Sequence, residues 1–457
     1  MTKFSLTTAL ILGTTIFANA ADDLASAFKE GKLDGRLRAQ YFATDWELAD
    51  KQSATGFAVG GSLIYKTAPL HGLSIGAGLY TTQNPGSWTD ADDGATAATA
   101  KDLFCRDQTD GTPDNPYGTG YAVLAQAYLQ YDVAKSKLRW GRMLVTNPWI
   151  TPNDTKMIPI AAEGIELVSK DLANTTVQID YIDKIKERGN TYFGNMADTG
   201  DTPVKIRQAY DTHYYIDSGN SAPDVSIAGI TNRSIDNVEL QGWVMHWPDL
   251  VDQIRLEANY AVEAGDVILG FGGLFMQQYD KGAGDLILPA LNNYDSDNSV
   301  DTFLYALRAT ADYRAAKFLL ATSHTDDGGD MIAPWRGFPT QGYTRSMTQT
   351  DWTANTRSYK AEIDYDWNAM LPGVSTMLSY AYYDRDPSKK PYQKLTDREY
   401  QNGDTRQWNF DIVYKLSGSW KGAELKARLM DQQNDTTALY TADTSNREMR
   451  LEANYRF

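Results

Sequence analysis

The end of the chain restricts the possible folds more than any other segment, because apolar and polar side chains alternate there without interruption. The apolar set is Met449, Leu451, Ala453, Tyr455 and Phe457, and a polar residue precedes each of them. Successive side chains of a β-strand point to opposite faces, so a period of two gives one apolar and one polar face. The segment therefore predicts a strand that lies between an apolar environment and water.

The same alternation returns along the chain in segments of about ten residues, the length of a transmembrane β-strand. It is clearest in the ranges 33–41, 254–260, 359–366, 408–414 and 423–429. In 359–366 one face would carry Lys360, Glu362, Asp364 and Asp366, a row that a water-filled interior tolerates and a packed core does not. These segments predict an all-β fold, a transmembrane antiparallel β-barrel of about 18 strands. The strand register stays open between Val225 and Tyr279, where glycine-rich stretches blur the period.

The connections between these segments fall into two length classes. The short class includes 68–72, 133–135 and 371–373, and the long polar class includes 81–119, 144–162, 184–224, 325–357 and 384–405. Short periplasmic turns at one end of a barrel and long extracellular loops at the other are the typical layout of such proteins.

The first 20 residues predict a cleavable secretory signal peptide. Lys3 precedes an apolar run that is too short to span a bilayer, and the run closes on the small residues Ala18 and Ala20. We expect cleavage before Ala21, so that residues 1–20 are the signal peptide and 21–457 form a single transmembrane barrel domain. Export with no later helical span leaves a secreted soluble protein or a barrel, and the 28 Tyr and 11 Trp favour the aromatic girdles of a barrel.

Charge and the sparse reactive residues exclude several kinds of function. The formal net charge is −16, and loss of residues 1–20 removes Lys3 and no acid, which gives −17 and argues against nucleic-acid binding. Cys105 is the one cysteine, so no intramolecular disulfide forms, and the four histidines are scattered. We therefore expect no metal site, no cofactor and no catalytic residues, and thus no enzyme.

Two resemblances to known proteins add to this interpretation. The terminal Phe457 with Tyr455 two residues before it resembles the C-terminal signal by which barrel assembly machinery recognises outer-membrane proteins. The runs 138–142 (LRWGR), 151–159 (TPNDTKMIP), 163–164 (EG), 181–188 (YIDKIKER) and 333–339 (APWRGFP) resemble the OprD family of substrate-selective porins over nearly the whole mature chain.

This second resemblance implies a third long loop that folds inward and a lumen with a ladder of basic residues. The loop would be 144–162, with Asn153, Asp154 and Lys156 at the constriction, although the family usually has Arg at the position of Lys156. Ladder positions that match the family or point inward by alternation are Arg36, Arg38, Arg139, Arg255, Arg308, Lys426, Arg428 and Arg450. Arg447 lies near them but has the opposite alternation.

These features predict a porin of the bacterial outer membrane that lets small hydrophilic, charged solutes diffuse through a constricted lumen. The solutes can be amino acids, carboxylates or other anions, since guanidinium groups bind carboxylates by paired hydrogen bonds. Expected partners are outer-membrane lipid and lipopolysaccharide, and the chain would act as a monomer or a loose homotrimer. An outer-membrane enzyme barrel and a surface adhesin remain as alternatives, and the basic residues can equally pair with acids to brace the wall.

Overall fold

The computed structural model describes residues 21–47, 54–85, 103–105, 120–196, 204–208, 212–216, 223–284, 299–333, 335–347, 352–389, 403–438 and 443–457. The predicted signal peptide lies outside these residues. The described chain begins with a short helix, α1 (Leu24–Lys29), whose first turn is capped by the Asp23 side chain, which accepts a hydrogen bond from the Ser26 amide at 2.7 Å. Ala27 of this helix packs on Ala68 of the first short turn.

Most of the other regular structure in the described residues is antiparallel β-sheet. The strands are β1 Lys32–Trp46, β2 Ala54–Lys66, β3 Leu73–Gln83, β4 Tyr121–Val133, β5 Ser136–Met143, β6 Ala161–Ser169, β7 Thr175–Lys186, β8 Gly194–Asn195, β9 Val204–Gln208, β10 Thr212–Ile216, β11 Val225–Asn232, β12 Val238–Trp247, β13 Val251–Ala264, β14 Val267–Asp280, β15 Thr302–Tyr313, β16 Ala316–Thr325, β17 Arg357–Asp366, β18 Val374–Asp384, β19 Thr405–Lys415, β20 Ala423–Asn434 and β21 Asn446–Arg456. A 3-10 turn spans Gly418–Trp420.

Each long strand pairs with the next one along the chain, and the last pairs with the first. β7 pairs with β11, which closes the ring without the short β8 and the β9–β10 hairpin. These three strands are therefore not counted among the barrel strands. β1 pairs with β21 from Arg36 opposite Arg456 to Trp46 opposite Asn446. The result is a closed antiparallel barrel of 18 strands, β1–β7 and β11–β21, which confirms the predicted fold class.

Exposure alternates along the strands in the sense opposite to that of a soluble protein. On β1, Leu37 is 60% exposed whereas its neighbours Arg36 and Arg38 are 8% and 4% exposed. Leu256 on β13 and Leu425 on β20 are exposed in the same way. Large apolar side chains therefore cover the outside and polar ones line the inside, the arrangement of a barrel embedded in lipid. None of the described helices is long and apolar enough to span a bilayer.

The connections divide the barrel into a turn end, which holds both termini, and a loop end. The region of uncertain register, Val225 to Tyr279, consists of the four strands β11–β14. One connection at the loop end departs from the expected length, because residues 248–250 alone join β12 to β13. Asp249 adopts a left-handed conformation (φ 61°) and the Leu250 amide donates to the Trp247 carbonyl at 3.1 Å, which closes a tight turn.

Candidate solute pathway

The connection between β5 and β6, residues 144–160 and named here the inserted loop, crosses the inside of the barrel. Its Asp154 forms ion pairs with Arg36 and Arg38 on β1. Its Trp149 indole donates a hydrogen bond to the Gln253 side chain on β13. Since β13 is the tenth strand of the ring of 18, these contacts lie on opposite walls. The inserted loop therefore spans the lumen and narrows it.

Asparagine side chains shape the inserted loop. The Asn147 side-chain oxygen accepts hydrogen bonds from the amides of Trp149 at 2.9 Å and Ile150 at 2.7 Å, which turns the chain inward. Asn153 has a left-handed backbone (φ 42°), a conformation that asparagine tolerates better than most residues. The Asn153 side chain also accepts a hydrogen bond from the Thr155 hydroxyl at 3.0 Å. This turn directs Asp154 towards β1.

Asp154 and two arginines form the polar contact between the inserted loop and the wall. One carboxylate oxygen of Asp154 lies 3.1 Å from Nη2 of Arg36 and 2.8 Å from Nη1 of Arg38. Arg38 also donates to Asn454 at 2.8 Å and to Glu452 at 3.0 Å. The Asp154 side chain is 40% exposed, whereas those of Arg36 and Arg38 are 9% and 2% exposed. The carboxylate is therefore the most accessible of these three charged groups.

Lys156 lies in the inserted loop, but its side chain is buried against the wall. Its Nζ atom is 3.2 Å from the centroid of the Phe42 ring, and its backbone carbonyl accepts a hydrogen bond from Arg38. Arg450 approaches the same Phe42 ring at 4.7 Å. Asn153 and Lys156 thus shape and fix the loop, and Asp154 forms ion pairs with Arg36 and Arg38 of β1.

The eight predicted ladder residues all lie on the inner face, in two groups. The group on β20, β21 and β1 contains Lys426, Arg428, Arg450, Arg38 and Arg36, and the second contains Arg139 on β5, Arg255 on β13 and Arg308 on β15. Arg447 lies on the outer face, as its alternation indicates, and pairs with Asp431 at 3.1 Å.

Every ladder residue lies close to a carboxylate. Arg139 forms a bidentate pair with Glu166 at 2.8 and 2.7 Å, and Arg450 pairs with Glu448. Around Glu257, Arg255 lies at 2.6 Å and Arg308 at 3.6 Å, and around Asp411, Arg428 lies at 2.8 Å and Lys426 at 3.6 Å. The ladder is therefore compensated in charge, and its role in solute passage stays a prediction.

A second inserted segment, residues 331–333 and 335–347, was not predicted from the sequence as part of the pathway. Gln278 on β14 accepts a hydrogen bond from the Ile332 amide at 2.8 Å, and Gln253 donates to the Ile332 carbonyl at 2.8 Å. Further along, the Thr344 carbonyl accepts from the Tyr383 hydroxyl at 3.1 Å. In the sequence, the run 333–339 indicates only the family resemblance. The large apolar side chain of Trp335 is the feature from which burial could have been predicted.

Tyr343 of this segment completes a cluster with Arg308 and Glu257. The Arg308 guanidinium lies 4.6 Å from the Tyr343 ring centroid, and the Tyr343 hydroxyl donates to Glu257 at 3.1 Å. Burial, and then the Glu257 carboxylate, raise the pKa of the Tyr343 hydroxyl, so it stays a donor at neutral pH. Gly272 makes room for this cluster, because a Cβ atom there would lie 2.7 Å from Nε of Arg308.

Apolar contacts join the two inserted pieces to each other. Trp149 and Ile150 of the inserted loop belong to the same buried cluster as Trp335, Tyr343 and Trp352. Ile150 and Arg336 form an isolated antiparallel bridge, and the Gly337 amide donates to the Trp149 carbonyl at 2.9 Å. The pieces thus form one packed unit inside the barrel. No group of three metal-ligating side chains occurs in the described part of the chain.

Comparison with known proteins decides the family of this barrel. The family model described as "outer membrane porin, OprD family" matches residues 27–457. The chain belongs to the OprD family. As an OprD-family porin it is a channel protein of the bacterial outer membrane, which confirms the predicted family and location.

Individual OprD-family relatives are distant in sequence but similar in fold. Porin D of Pseudomonas aeruginosa is 23% identical over 337 residues, which cover 70% of this chain and 68% of that protein. The crystal structure of P. aeruginosa OpdK with vanillate matches with a TM-score of 0.72 at 16% identity, over 94% of this chain and 99% of OpdK. Acinetobacter baumannii OccAB3 matches with a TM-score of 0.72 at 17% identity, over 94% and 99% of the two chains. P. aeruginosa OccK2 (OpdF) in complex with glucuronate matches with a TM-score of 0.67 at 15% identity, over 93% and 98%.

Proposed function

We propose that this porin lets small charged solutes, carboxylates among them, diffuse passively between the inserted loop and the basic wall of β20, β21 and β1. The observation that carries the proposal is the contact of Asp154 with Arg36 and Arg38, because it sets charged groups of both signs at the point where the loop narrows the lumen. Paired charges in a narrow aqueous passage bind ions weakly enough to release them, which passage requires.

The relatives support carboxylates as one class of solute. OpdK was crystallised with vanillate and OccK2 with glucuronate, and both ligands carry a carboxylate. Carboxylates accept paired hydrogen bonds from guanidinium groups such as those of Arg428 and Arg450. The two arginines lie directly opposite each other on β20 and β21.

The test is the reversal potential of single channels in a salt gradient across a planar bilayer. The variant Lys426→Gln, Arg428→Gln, Arg450→Gln removes the two cations beside Asp411 and the Arg450 charge beside Glu448. We expect its anion-to-cation permeability ratio to fall by about fivefold or more, the effect of one elementary charge at contact distance in water. Arg447→Gln is the matched control, because Arg447 is a paired arginine on the outer face.

Two results would contradict the proposal. Absence of channels from the folded wild-type protein would exclude a porin, and an unchanged ratio in the triple variant would assign these residues to bracing of the wall. A ratio that also falls in Arg447→Gln, in proportion to the one charge it removes, would show that net charge, and not position in the lumen, sets the selectivity.

A further inference from the structure

A cavity of about 450 Å³ opens in the inner wall of β16–β20. Ala315, Asp366 and Ser375, which lie at or beside the turns of these strands, mark it as close to the turn end. The side chains that give it its chemistry are Lys317, Glu362, Asp364, Met377, Asp411 and Lys426. Its lining contains no residue of the inserted loop or of the second inserted segment, so the cavity is separate from the constriction.

The strand register arranges five of the wall residues in one row. Lys317 lies opposite Asp364, Asp364 opposite Met377, Met377 opposite Asp411, and Asp411 opposite Arg428. Neighbouring strands are about 4.8 Å apart, so the Cα atoms of the two aspartates are about 10 Å apart with Met377 between them. A polarisable thioether between two carboxylates suits an organic cation, whose carbon atoms contact the sulfur while its charge faces the acids.

The acids of this cavity differ in how far they are neutralised. Asp411 lies 2.8 Å from Arg428 and 3.6 Å from Lys426, and Glu362 lies 2.7 Å from Lys360. Among the described residues, Asp364 forms neither a hydrogen bond nor an ion pair, and the neighbouring Lys317 pairs with Asp312 at 3.6 Å. Asp364 is therefore the carboxylate available to a passing cation.

We propose that this cavity is a binding station for zwitterionic solutes that carry one amino group and one carboxylate. Asp364 holds the ammonium group over Met377, and Lys426 on the far side of Met377 receives the carboxylate. Asp364 and Glu362 repel a simple anion, and the two lysines of the cavity repel a simple cation. The station rests on the proposed porin function, since solute reaches it only through the lumen.

Block of single-channel potassium chloride current by three solutes of equal chain length tests the station. The solutes are 4-aminobutyrate, butyrate and butylammonium, added at increasing concentration to the purified full-length protein in a planar bilayer. We expect 4-aminobutyrate to give the lowest half-blocking concentration. Asp364→Asn should raise that concentration about fivefold, the effect of one charge at contact distance in water, and it should lower the value for butyrate, because the variant removes a charge that repels the anion.

Asp34→Asn is the matched control, because Asp34 is an inward acid close to the turn end on β1 and lies outside the cavity lining. It should leave the block by 4-aminobutyrate unchanged. Met377→Lys is a second variant that adds a cation to the centre of the row, and it should make butyrate the strongest blocker. Mobility on unheated gels reports whether each variant folds.

The outcomes separate the station from the porin function. Equal block by the three solutes in wild-type channels overturns the station alone. The station is also overturned if Asp364→Asn leaves the half-blocking concentration of 4-aminobutyrate unchanged. Absence of potassium chloride current from folded wild-type protein overturns the porin function, and the station with it.

Discussion

Asp154 in the inserted loop lies 2.8 Å from Arg38 on β1, and the acid is the more exposed partner of the two. Arg38 also contacts Asn454 and Glu452, so its guanidinium is saturated by the wall and the loop together. The arginine thus fixes the loop to β1, and the carboxylate is the group that faces the lumen. The proposed charge selection at this point involves both residues.

Asp154→Asn should shift selectivity towards anions. The change removes the exposed negative charge while the amide can still accept hydrogen bonds from Arg36 and Arg38, and one charge at contact distance in water corresponds to about 1 kcal/mol. The reversal potential in a salt gradient measures the shift. Asp236→Asn, in the turn between β11 and β12, is the control, and equal shifts in both variants would count against a local role for Asp154.

Trp149→Ala should release the inserted loop from the wall of β13. The buried indole contacts Gln253 and belongs to the apolar cluster of the two inserted pieces, and loss of such a side chain costs about 3–5 kcal/mol. We expect larger and noisier single-channel conductance. Trp140→Ala removes a 63%-exposed indole from the outer face and should keep wild-type conductance. Identical current traces for Trp149→Ala and wild type would argue against the loop as the constriction.

Phe457→Ala should lower the yield of folded protein in the outer membrane. The Phe457 amide and carbonyl exchange hydrogen bonds with Gly35 at 3.0 and 2.9 Å, and a Cβ atom on Gly35 would lie 2.3 Å from the Phe457 ring. The aromatic ring therefore covers the seam at the turn end. Densitometry of heat-modifiable gel bands gives the folded fraction. Tyr414→Ala, a lipid-facing aromatic on β19, controls for loss of aromatic area, and an equal loss there would refute a special role of the terminus.

The mature protein should begin at Ala21. The apolar run that ends on Ala18 and Ala20 has the length and the small residues that signal peptidase requires. Intact-mass measurement of protein purified from outer membranes identifies the first residue. A mass that retains residues 1–20 would exclude the predicted cleavage.

The sequence predicted the wall well because alternation is a local property. Leu37 is apolar and Arg38 is charged, and successive side chains of a strand point to opposite faces. In the closed barrel Leu37 therefore faces outward and Arg38 faces inward. The strand count and the faces of the ladder residues followed from this pattern. Between Val225 and Tyr279 the pattern left the register open, because glycines such as Gly272 interrupt the alternation where they make room for partners on other strands.

The positions of the two inserted segments in the lumen could not be predicted in the same way, because loop sequences have no repeating pattern of apolar and polar residues. Nothing local to Asp154 indicates that Arg36, more than one hundred residues away, is its partner. Trp149 and Gln253 are likewise distant in sequence and joined only by the crossing of the lumen. The second inserted segment carried a family motif, but its contacts with Gln253 and Gln278 depend on strands that come earlier in the chain.

The seam between β1 and β21 joins the two strands that lie furthest apart in the chain. Contacts of such long sequence separation form late, since a large loop must close before they contribute any free energy. Arg38 reaches Asn454 and Glu452 across this seam and Asp154 across the lumen, so its surroundings are incomplete until the last strand arrives. The contact between the inserted loop and the wall is therefore completed in the same step that closes the barrel, and a barrel interrupted before that step would lack the support that β21 gives to Arg38.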